Sequence, residues 1–187
     1  PILCTDISQG MLDVAQQKAQ SQNAAHISFR QLSITNLDQL EGQYDLIFSN
    51  FGGLNCLSPQ QLTELGRQAQ RLLSPVGCFV AVVMSRFSCW ESLYFRLKRQ
   101  PEQRRRRKQK IAIKARLDAT TFVDTYYYQP QELIKLMQQP FKKVQCRSVG
   151  YFLPPSYLEP FFVKRPRLLR FLDKLEYLVP AGNLFSG

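Results

Sequence analysis

The sequence lacks several features that would assign it to a specialised class of protein. It has one histidine, His26, which is too few for a histidine-rich metal site and leaves a histidine-based catalytic triad hard to build. It has no charge-free apolar run long enough to cross a membrane. Its five cysteines include no C-x-x-C pair, so we expect them to be reduced core residues of a cytoplasmic protein.

The composition is that of an ordinary globular protein. Hydrophobic residues make up 44% and aromatic residues 12% of the 187 residues, which is enough to bury a sizeable core. We expect a single domain over residues 1–187. Within it, residues 1–84 form the ligand-binding core, residues 85–128 a basic and aromatic insertion or lid, and residues 129–187 the C-terminal part.

Positive charge is concentrated in one segment. The net charge is +11, yet residues 1–85 carry four basic and six acidic side chains. Residues 86–116 carry 12 basic and two acidic side chains and include the run Arg104–Lys108. Such a run is compatible with a nucleic acid partner, with an anionic membrane surface and with a solvated helix face. The sequence leaves these three alternatives open.

A stretch near the middle of the first half has the character of a ligand-binding strand end. Leu46–Phe48 is a short apolar run of the kind expected for a strand buried on both faces. It is followed by Ser-Asn-Phe-Gly-Gly at residues 49–53, where small residues let a backbone approach a ligand. In open α/β sheets, ligands bind outside the carboxyl ends of the strands.

Strands and helices alternate through the first 84 residues, which indicates a parallel, doubly wound sheet. Ser8 is a plausible helix N-cap, and Ser58-Pro59-Gln60-Gln61 has the pattern of a capping box with proline at the first helical position. We expect strands at residues 1–5, 27–32, 44–48 and 78–84, with a gap between the first and third of them.

The second half is less regular. Trp90 and Tyr94 share a predicted helical face with Leu93 and Leu97. Beyond them we expect a strand at residues 120–128, a short helix at 130–139, a strand at 141–153 and one or two amphipathic helices at 157–178.

Three stretches, taken in order, carry a resemblance to a known family. They are Asp6-Ile7-Ser8-x-x-Met11-Leu12-x-x-Ala15, then Tyr44-Asp45-Leu46-Ile47 with Asn50 to Asn55, then Leu72 to Gly77. Over residues 1–84 the chain resembles the class I S-adenosylmethionine-dependent methyltransferases. The resemblance implies an α/β fold with a doubly wound, mostly parallel, Rossmann-like sheet, and S-adenosyl-L-methionine as the cofactor.

The resemblance also implies roles for individual residues. Asp6, followed by Ile7, would accept hydrogen bonds from the ribose hydroxyls of the cofactor, because a carboxylate can accept from two neighbouring hydroxyls. Met11 would pack near the adenine or, alternatively, face the core. Ser33 occupies the position where many relatives have an aspartate for the adenine amino group, so the backbone of Ile34 would have to serve there.

The remaining implied contacts concern the transferred methyl group and its acceptor. Asn50 and Phe51 would flank the methionine moiety, and Asn55 would lie near the substrate. Apart from the resemblance, Trp90 and Tyr94 suggest a lid over a small or lipophilic acceptor, although they and the basic tail could equally lie on an anionic membrane. We assign no catalytic base, and Tyr126, Tyr127 and Tyr128 are weak candidates because aromatic strand residues usually pack in a core.

One departure from the family concerns its glycine-rich cofactor loop, which no stretch of this sequence supplies. We therefore expect a fragment that is incomplete at both ends of the sheet and inactive by itself.

Two other functions fit part of the sequence. An NAD(P)-dependent short-chain reductase would also place Asp6 after a strand, and Tyr94 to Lys98 matches Y-x-x-x-K, but the serine expected before that tyrosine is absent. An RNA- or anionic-membrane-binding module would use the basic residues between 96 and 116, although no recognised RNA-binding motif accompanies them.

Overall fold

The computed structural model describes residues 1–50, 52–116, 121–137, 141–155 and 158–178. Within these ranges the chain divides into two compact units. The first consists of Pro1–Phe48 and Thr63–Val80, and the second of Ser49–Leu62 and the described part of Ala81–Gly187.

Two parallel strands begin the first unit. Strand β1, Ile2–Asp6, pairs in parallel with β2, Ile27–Gln31, so that Asp6 lies beside Gln31 at their carboxyl ends. The connection between them is helix α1, Gln9–Ser21. A strand, a helix and a parallel strand form the β-α-β unit that the alternation of the sequence predicts.

Helix α1 begins where the sequence predicts. The Ser8 side chain accepts a hydrogen bond from the Met11 backbone N–H, at 3.3 Å, and satisfies one of the free donors at the start of the helix. Leu12 is the buried residue of α1, while Ala15 and Ala19, one turn apart on the same face, are half-buried.

Helix α2, Pro59–Leu72, starts with the predicted capping box. The Ser58 N–H donates to Gln61 Oε1 at 2.8 Å, and the Gln61 N–H donates to Ser58 Oγ at 3.3 Å. The apolar stripe of α2 is buried and comprises Leu62, Leu65, Ala69 and Leu72.

Arg71, in the last turn of α2, ties this helix to the 3₁₀ helix Leu37–Gln39. Its guanidinium donates to the carbonyl oxygens of Leu37 and Leu40, both at 3.0 Å, and of Asp38 at 3.3 Å. Leu37 and Leu40 are themselves buried, so this loop is part of the core of the first unit.

Strand β3, Tyr44–Ser49, pairs with strand β4, Leu73–Ala81, in a second two-stranded sheet. As predicted, β1 and β3 are not neighbours, since each of these fully described strands has its own partner. Strand β4 begins five residues earlier than predicted. Proline is tolerated near the start of a strand, so Pro75 does not delay it.

The prediction that Leu46–Phe48 is buried on both faces is wrong. The side chains of Leu46 and Phe48 are each 57% exposed, and Val76 in β4 is 92% exposed. Within β3, Tyr44, Ile47 and Ser49 are half-buried and the other three residues are exposed.

The second unit contains an antiparallel strand pair and, after β4, five α-helices among its described residues. Strands β5, Ile113–Arg116, and β6, Phe122–Thr125, pair from Ile113 opposite Thr125 to Arg116 opposite Phe122. The helices are α3, Cys89–Leu97; α4, Pro101–Arg105; α5, Pro130–Leu136; α6, Glu159–Val163; and α7, Pro166–Glu176.

The start of α5 and the two helices of the tail agree with the predictions. Gln129 and Glu132 form a capping box at α5, with Pro130 at the first helical position. The predicted strand at 120–128 is shorter, since β6 covers Phe122–Thr125, and residue 120 and residues 138–139 lie outside the described residues.

The predicted strand at 141–153 is wrong. These residues are all described and form no strand, and the side chains of Val144 and Val149 are 88% and 79% exposed. The backbone N–H groups of Tyr151 and Phe152 donate to the Glu176 carboxylate, at 2.9 and 2.8 Å, and not to a neighbouring strand. A β-prone sequence without a partner strand does not form a ladder.

The five cysteines carry free thiols, but the expectation that they lie in the core is wrong. Cys56, Cys78 and Cys89 are exposed, and Cys4 and Cys146 are half-buried. None of the helices in the described ranges has the length and apolarity needed to cross a bilayer.

The close packing around Gly77 in β4 can be tested by substitution. A Cβ atom there would lie 2.9 Å from Leu73 Cδ2 and 3.0 Å from the carbonyl oxygens of Ser74 and Tyr44. We expect Gly77→Ala to lower the free energy of unfolding by about 1–3 kcal/mol, because backbone must shift to make room. The measurement is urea unfolding followed by circular dichroism.

The matched control is Gly10→Ala in α1. A Cβ at Gly10 meets only Ser8 Oγ, at 3.9 Å, and alanine is the better helix former by about 1 kcal/mol. Gly10→Ala should therefore leave stability unchanged or raise it. Equal effects of the two substitutions would contradict the close approach described for Gly77.

Candidate functional site

The first group of predicted site residues lies at one edge of the β1–β2 pair. Because the strands are parallel, their carboxyl ends meet at the same edge, and the Leu32 N–H donates to the Asp6 carbonyl oxygen at 2.9 Å. Asp6 and Ile7 follow β1 there, and Ser33 and Ile34 follow β2. The fold thus brings four of the predicted cofactor residues to one place.

Asp6 provides a carboxylate at this edge. It is half-buried, and its Oδ1 accepts a hydrogen bond from the Ser8 N–H at 2.8 Å. This bond orients the carboxylate at the start of α1. An ionised carboxylate has about four acceptor sites, so Asp6 retains the capacity to accept from two hydroxyls of a ligand.

Ile7 and Met11 present apolar surface beside Asp6. Their side chains are 70% and 61% exposed. The alternative that Met11 faces the core is therefore wrong. Both residues lie within five positions of Asp6, on the loop and the first turn of α1, where an apolar ring of a ligand could contact them.

Ser33 is arranged differently from an adenine-binding aspartate. Its hydroxyl lies 2.8 Å from the Thr35 hydroxyl, and its Oγ also accepts from the Thr35 N–H at 3.3 Å. Ser33 thus closes a short turn after β2. Ile34, which follows it, is half-buried.

The second group of predicted residues follows β3, in the second unit. Asn50 is exposed, and Phe51 lies outside the described residues. Gly52 adopts the left-handed conformation, φ +77°, and a Cβ there would lie 3.0 Å from Met84 Cε. The positive φ favours glycine at this position, and the end of the Met84 side chain packs closely against it.

Asn55 was predicted to contact the substrate, but its position does not support that role. It is fully buried, with 0% exposure, in the 3₁₀ helix Gly53–Cys56. Its Nδ2 donates to the carbonyl oxygens of Met84 and Tyr126, at 3.0 and 2.6 Å, and its Oδ1 accepts from the Met84 N–H at 2.8 Å. The side-chain amide is thus occupied within the protein, and we reassign Asn55 to a structural role.

Trp90 and Tyr94, the predicted substrate contacts of the lid, lie one turn apart on α3 and are half-buried. Trp90 Nε1 donates to the Phe152 carbonyl oxygen at 3.0 Å, and its ring packs edge-on against Phe162 with centroids 5.7 Å apart. Tyr94 packs edge-on against Phe95, and Lys98 Nζ lies 5.8 Å from the Tyr94 ring centroid. Trp90 therefore holds the C-terminal residues to α3.

The three tyrosines after β6 are structural in the main. The Tyr128 hydroxyl donates to the Leu57 carbonyl oxygen at 2.5 Å, and burial raises the pKa of this hydroxyl well above its usual value. A buried tyrosine of raised pKa is a poor general base. Tyr127 is also buried, and Tyr126 stacks on Tyr128 with ring centroids 6.1 Å apart.

Ion pairs within the basic segment were not predicted. Glu91 on α3 is buried, with 8% exposure, and its carboxylate pairs with Arg107 and, at 3.6 Å, with Arg106. The Arg107 guanidinium also lies 4.9 Å from the centroid of the Tyr127 ring. Two of the five residues in the run Arg104–Lys108 thus make contacts within the protein. The run therefore does not form a wholly solvated basic face.

A second ion pair joins Arg86 to Glu132 of α5, with Arg86 Nη1 2.6 Å from Glu132 Oε1. Partial burial alone would raise the pKa of the Glu132 carboxyl, but hydrogen bonds from the Gln129 N–H and from Arg86 outweigh it and lower that pKa. Among the described residues, no three histidine, cysteine or acidic side chains cluster as a metal site would require.

Residues 1–77 match the family model of a methyltransferase domain. They contain the edge at which β1 and β2 end, with Asp6, which we call the Asp6 edge. The match covers the parallel strand pair, α1 and the loops after β1 and β2, and so confirms the resemblance where the sequence showed it most clearly. It also favours the methyltransferase over the short-chain reductase that Tyr94 and Lys98 suggested.

Solved structures support the same fold. An S-adenosylmethionine-dependent methyltransferase from Clostridium acetobutylicum is similar with a TM-score of 0.54 and 14% identity, over 78% of this chain and 66% of its own. A protein from Pyrococcus horikoshii gives 0.54 and 18%, over 80% and 69%. S-adenosylmethionine-dependent methyltransferases from Methanosarcina mazei give 0.50 and 16%, over 73% and 66%.

The chain thus spans about two thirds of the length of these proteins. At such identities the similarity shows the fold alone, and the predicted α/β methyltransferase-like fold is confirmed. No curated protein sequence gives a significant match.

The contribution of the Asn55 hydrogen bonds to the stability of the second unit can be tested by substitution. Asn55→Ala would leave the Met84 N–H and the Met84 and Tyr126 carbonyl oxygens without their side-chain partner in a buried site. We expect the free energy of unfolding to fall by on the order of 3 kcal/mol or more. Chemical unfolding of the purified variant measures this change.

Gln60→Ala is the control, because Gln60 carries the same amide group but lies exposed on α2. It should change the free energy of unfolding by no more than about 0.5 kcal/mol. A stable Asn55→Ala variant would restore the possibility that Asn55 serves a ligand.

Proposed function

We propose that the protein takes part in S-adenosyl-L-methionine-dependent methyl transfer. The observation that carries the proposal is the position of Asp6 at the carboxyl end of β1, oriented by the Ser8 N–H at 2.8 Å within the segment that matches a methyltransferase domain. Two of the similar solved structures, from Clostridium acetobutylicum and Methanosarcina mazei, are named as S-adenosylmethionine-dependent methyltransferases. This supports the same cofactor for this chain.

In this proposal the Asp6 edge binds the adenosine part of the cofactor. The Asp6 carboxylate accepts hydrogen bonds from the ribose hydroxyls, and Ile7 and Met11, which are exposed, contact the adenine. Ser33 and the backbone of Ile34 complete this part of the site after β2. Asn50 and Phe51 are proposed to contact the methionine part.

Methyl transfer from this cofactor requires little of the protein beyond binding and positioning the reactants. The sulfonium cofactor supplies an already activated methyl group, so in-line orientation and exclusion of water account for most of the rate. The absence of a histidine near Asp6 in the sequence is compatible with such a reaction. We assign no general base, and the contacts of Tyr128 argue against that residue.

We further propose that the acceptor is a small or lipophilic molecule. The support comes from α3, on which Leu93 and Leu97 are 49% and 76% exposed and Trp90 and Tyr94 are half-buried. An apolar, partly aromatic helix face is suited to covering an apolar ligand.

Asp6→Ala tests the cofactor site. Losing the charged acceptor should weaken S-adenosylmethionine binding by on the order of ten- to a hundredfold, as expected for hydrogen bonds to a charged group. Isothermal titration calorimetry on the longest form of the protein that its gene encodes is the measurement. Asp13→Ala, an exposed carboxylate on α1, is the control and should bind normally; equal affinities of all three proteins would refute the assignment of Asp6.

We also propose that residues 1–187 alone bind the cofactor weakly and transfer no methyl group. No glycine precedes Asp6 in the sequence, so this chain has no glycine-rich turn before it to donate backbone N–H groups to the cofactor. Calorimetry with the 187-residue chain should show no saturation at micromolar concentrations. Tight binding by this chain would mean that the cofactor site lies elsewhere.

A further inference from the structure

Helix α7 and the turn that follows it expose a surface that combines basic and apolar side chains. We call it the α7 surface. Its apolar members are considerably exposed, with Phe171 at 57% and Leu178 at 73%. Its members are Arg167, Arg170, Phe171, Lys174 and Leu178.

The opposite side of α7 and the preceding helix α6 are fixed to the rest of the second unit. Both Glu176 carboxylate oxygens accept backbone N–H groups, from Tyr151 at 2.9 Å and Phe152 at 2.8 Å. Phe162 of α6 is buried against Trp90. Because α7 is held from this side, its other side is consistently presented outward.

The spacing of the outward residues of α7 places them on one stripe. Arg167, Phe171 and Lys174 follow one another at intervals of four and three residues, which is the repeat of a single helix face. Leu178 lies four residues further on, in the turn after α7. Arg170 adjoins this stripe one turn from Lys174. Basic groups therefore flank apolar side chains along the whole helix.

The basic residues of this surface have no acidic ion-pair partner among the described residues. Within the described part of the chain, no carboxylate forms an ion pair with Arg167, Arg170 or Lys174. This contrasts with Arg106 and Arg107, whose charges face the buried Glu91.

We infer that the α7 surface binds the surface of an anionic phospholipid bilayer. Lys and Arg are attracted by anionic headgroups, while Phe and Leu gain from insertion at the boundary with the acyl chains. A nucleic acid would account for the basic residues but not for the exposed Phe171 and Leu178 beside them. A second copy of this surface would place like charges opposite each other. The inference does not depend on the proposed methyl transfer.

Vesicle co-sedimentation of the 187-residue chain tests the inference. The wild-type chain should bind vesicles of equal parts phosphatidylglycerol and phosphatidylcholine, and not vesicles of phosphatidylcholine alone. Arg167→Glu with Arg170→Glu should lower the partition coefficient by on the order of tenfold or more. Arg104→Glu with Arg105→Glu changes the charge equally at exposed residues of α4, and should retain most of the binding.

A second variant separates lipid from nucleic acid. Phe171→Ser leaves every charge in place, so it should lower vesicle binding several-fold while leaving retention on single-stranded RNA unchanged. Circular dichroism establishes that each variant is folded. Absence of vesicle binding, equal losses in the two double variants, or no effect of Phe171→Ser would each overturn the inference.

Discussion

The buried amide of Asn55 joins three parts of the second unit that are distant in sequence. It connects its own 3₁₀ helix to Met84, after β4, and to Tyr126, after β6, through three side-chain hydrogen bonds. The Asn55 carbonyl oxygen also accepts from the Tyr126 N–H at 2.7 Å. Since buried polar groups are costly when unpaired, these segments can only pack together in one arrangement. Gly52, in the left-handed conformation, lies beside Asn55, and Tyr128, which donates to the Leu57 carbonyl oxygen, is two residues from Tyr126.

The elements that could be predicted from the sequence are those whose determinants are local. The capping boxes at Ser58 and Gln129 involve side chains three residues apart, so the start of each helix can be inferred without knowing the rest of the chain. The predicted strand at 141–153 shows the opposite case. Its residues have strand propensity, but a ladder needs a partner, and Glu176, more than 20 positions away, takes two of the backbone N–H groups instead.

The same distinction applies to the site. The gathering of Asp6 and Ser33 at one edge follows from the alternation of strands and helices, because parallel strands end together. Asn55 could not be assigned correctly, since an asparagine after a glycine turn is equally suited to holding a ligand or to holding the backbone. The choice is made by Met84 and Tyr126, whose positions depend on the folded chain. The ion pairs of Glu91 and Glu132 are likewise formed with residues that no local pattern indicates.

These ion pairs change what the net charge of +11 implies about partners. Composition places most of the positive charge in residues 86–116, but part of it faces inward, where Arg106 and Arg107 meet Glu91 and Arg86 meets Glu132. An arginine paired with a buried carboxylate contributes little to the field that an approaching partner experiences. Three basic residues of this segment are thus engaged within the protein, whereas the described residues supply no ion-pair partner for Arg167, Arg170 or Lys174 of α7. Because those residues flank exposed apolar side chains, they are better suited to binding a lipid surface than to binding a polyanion in water.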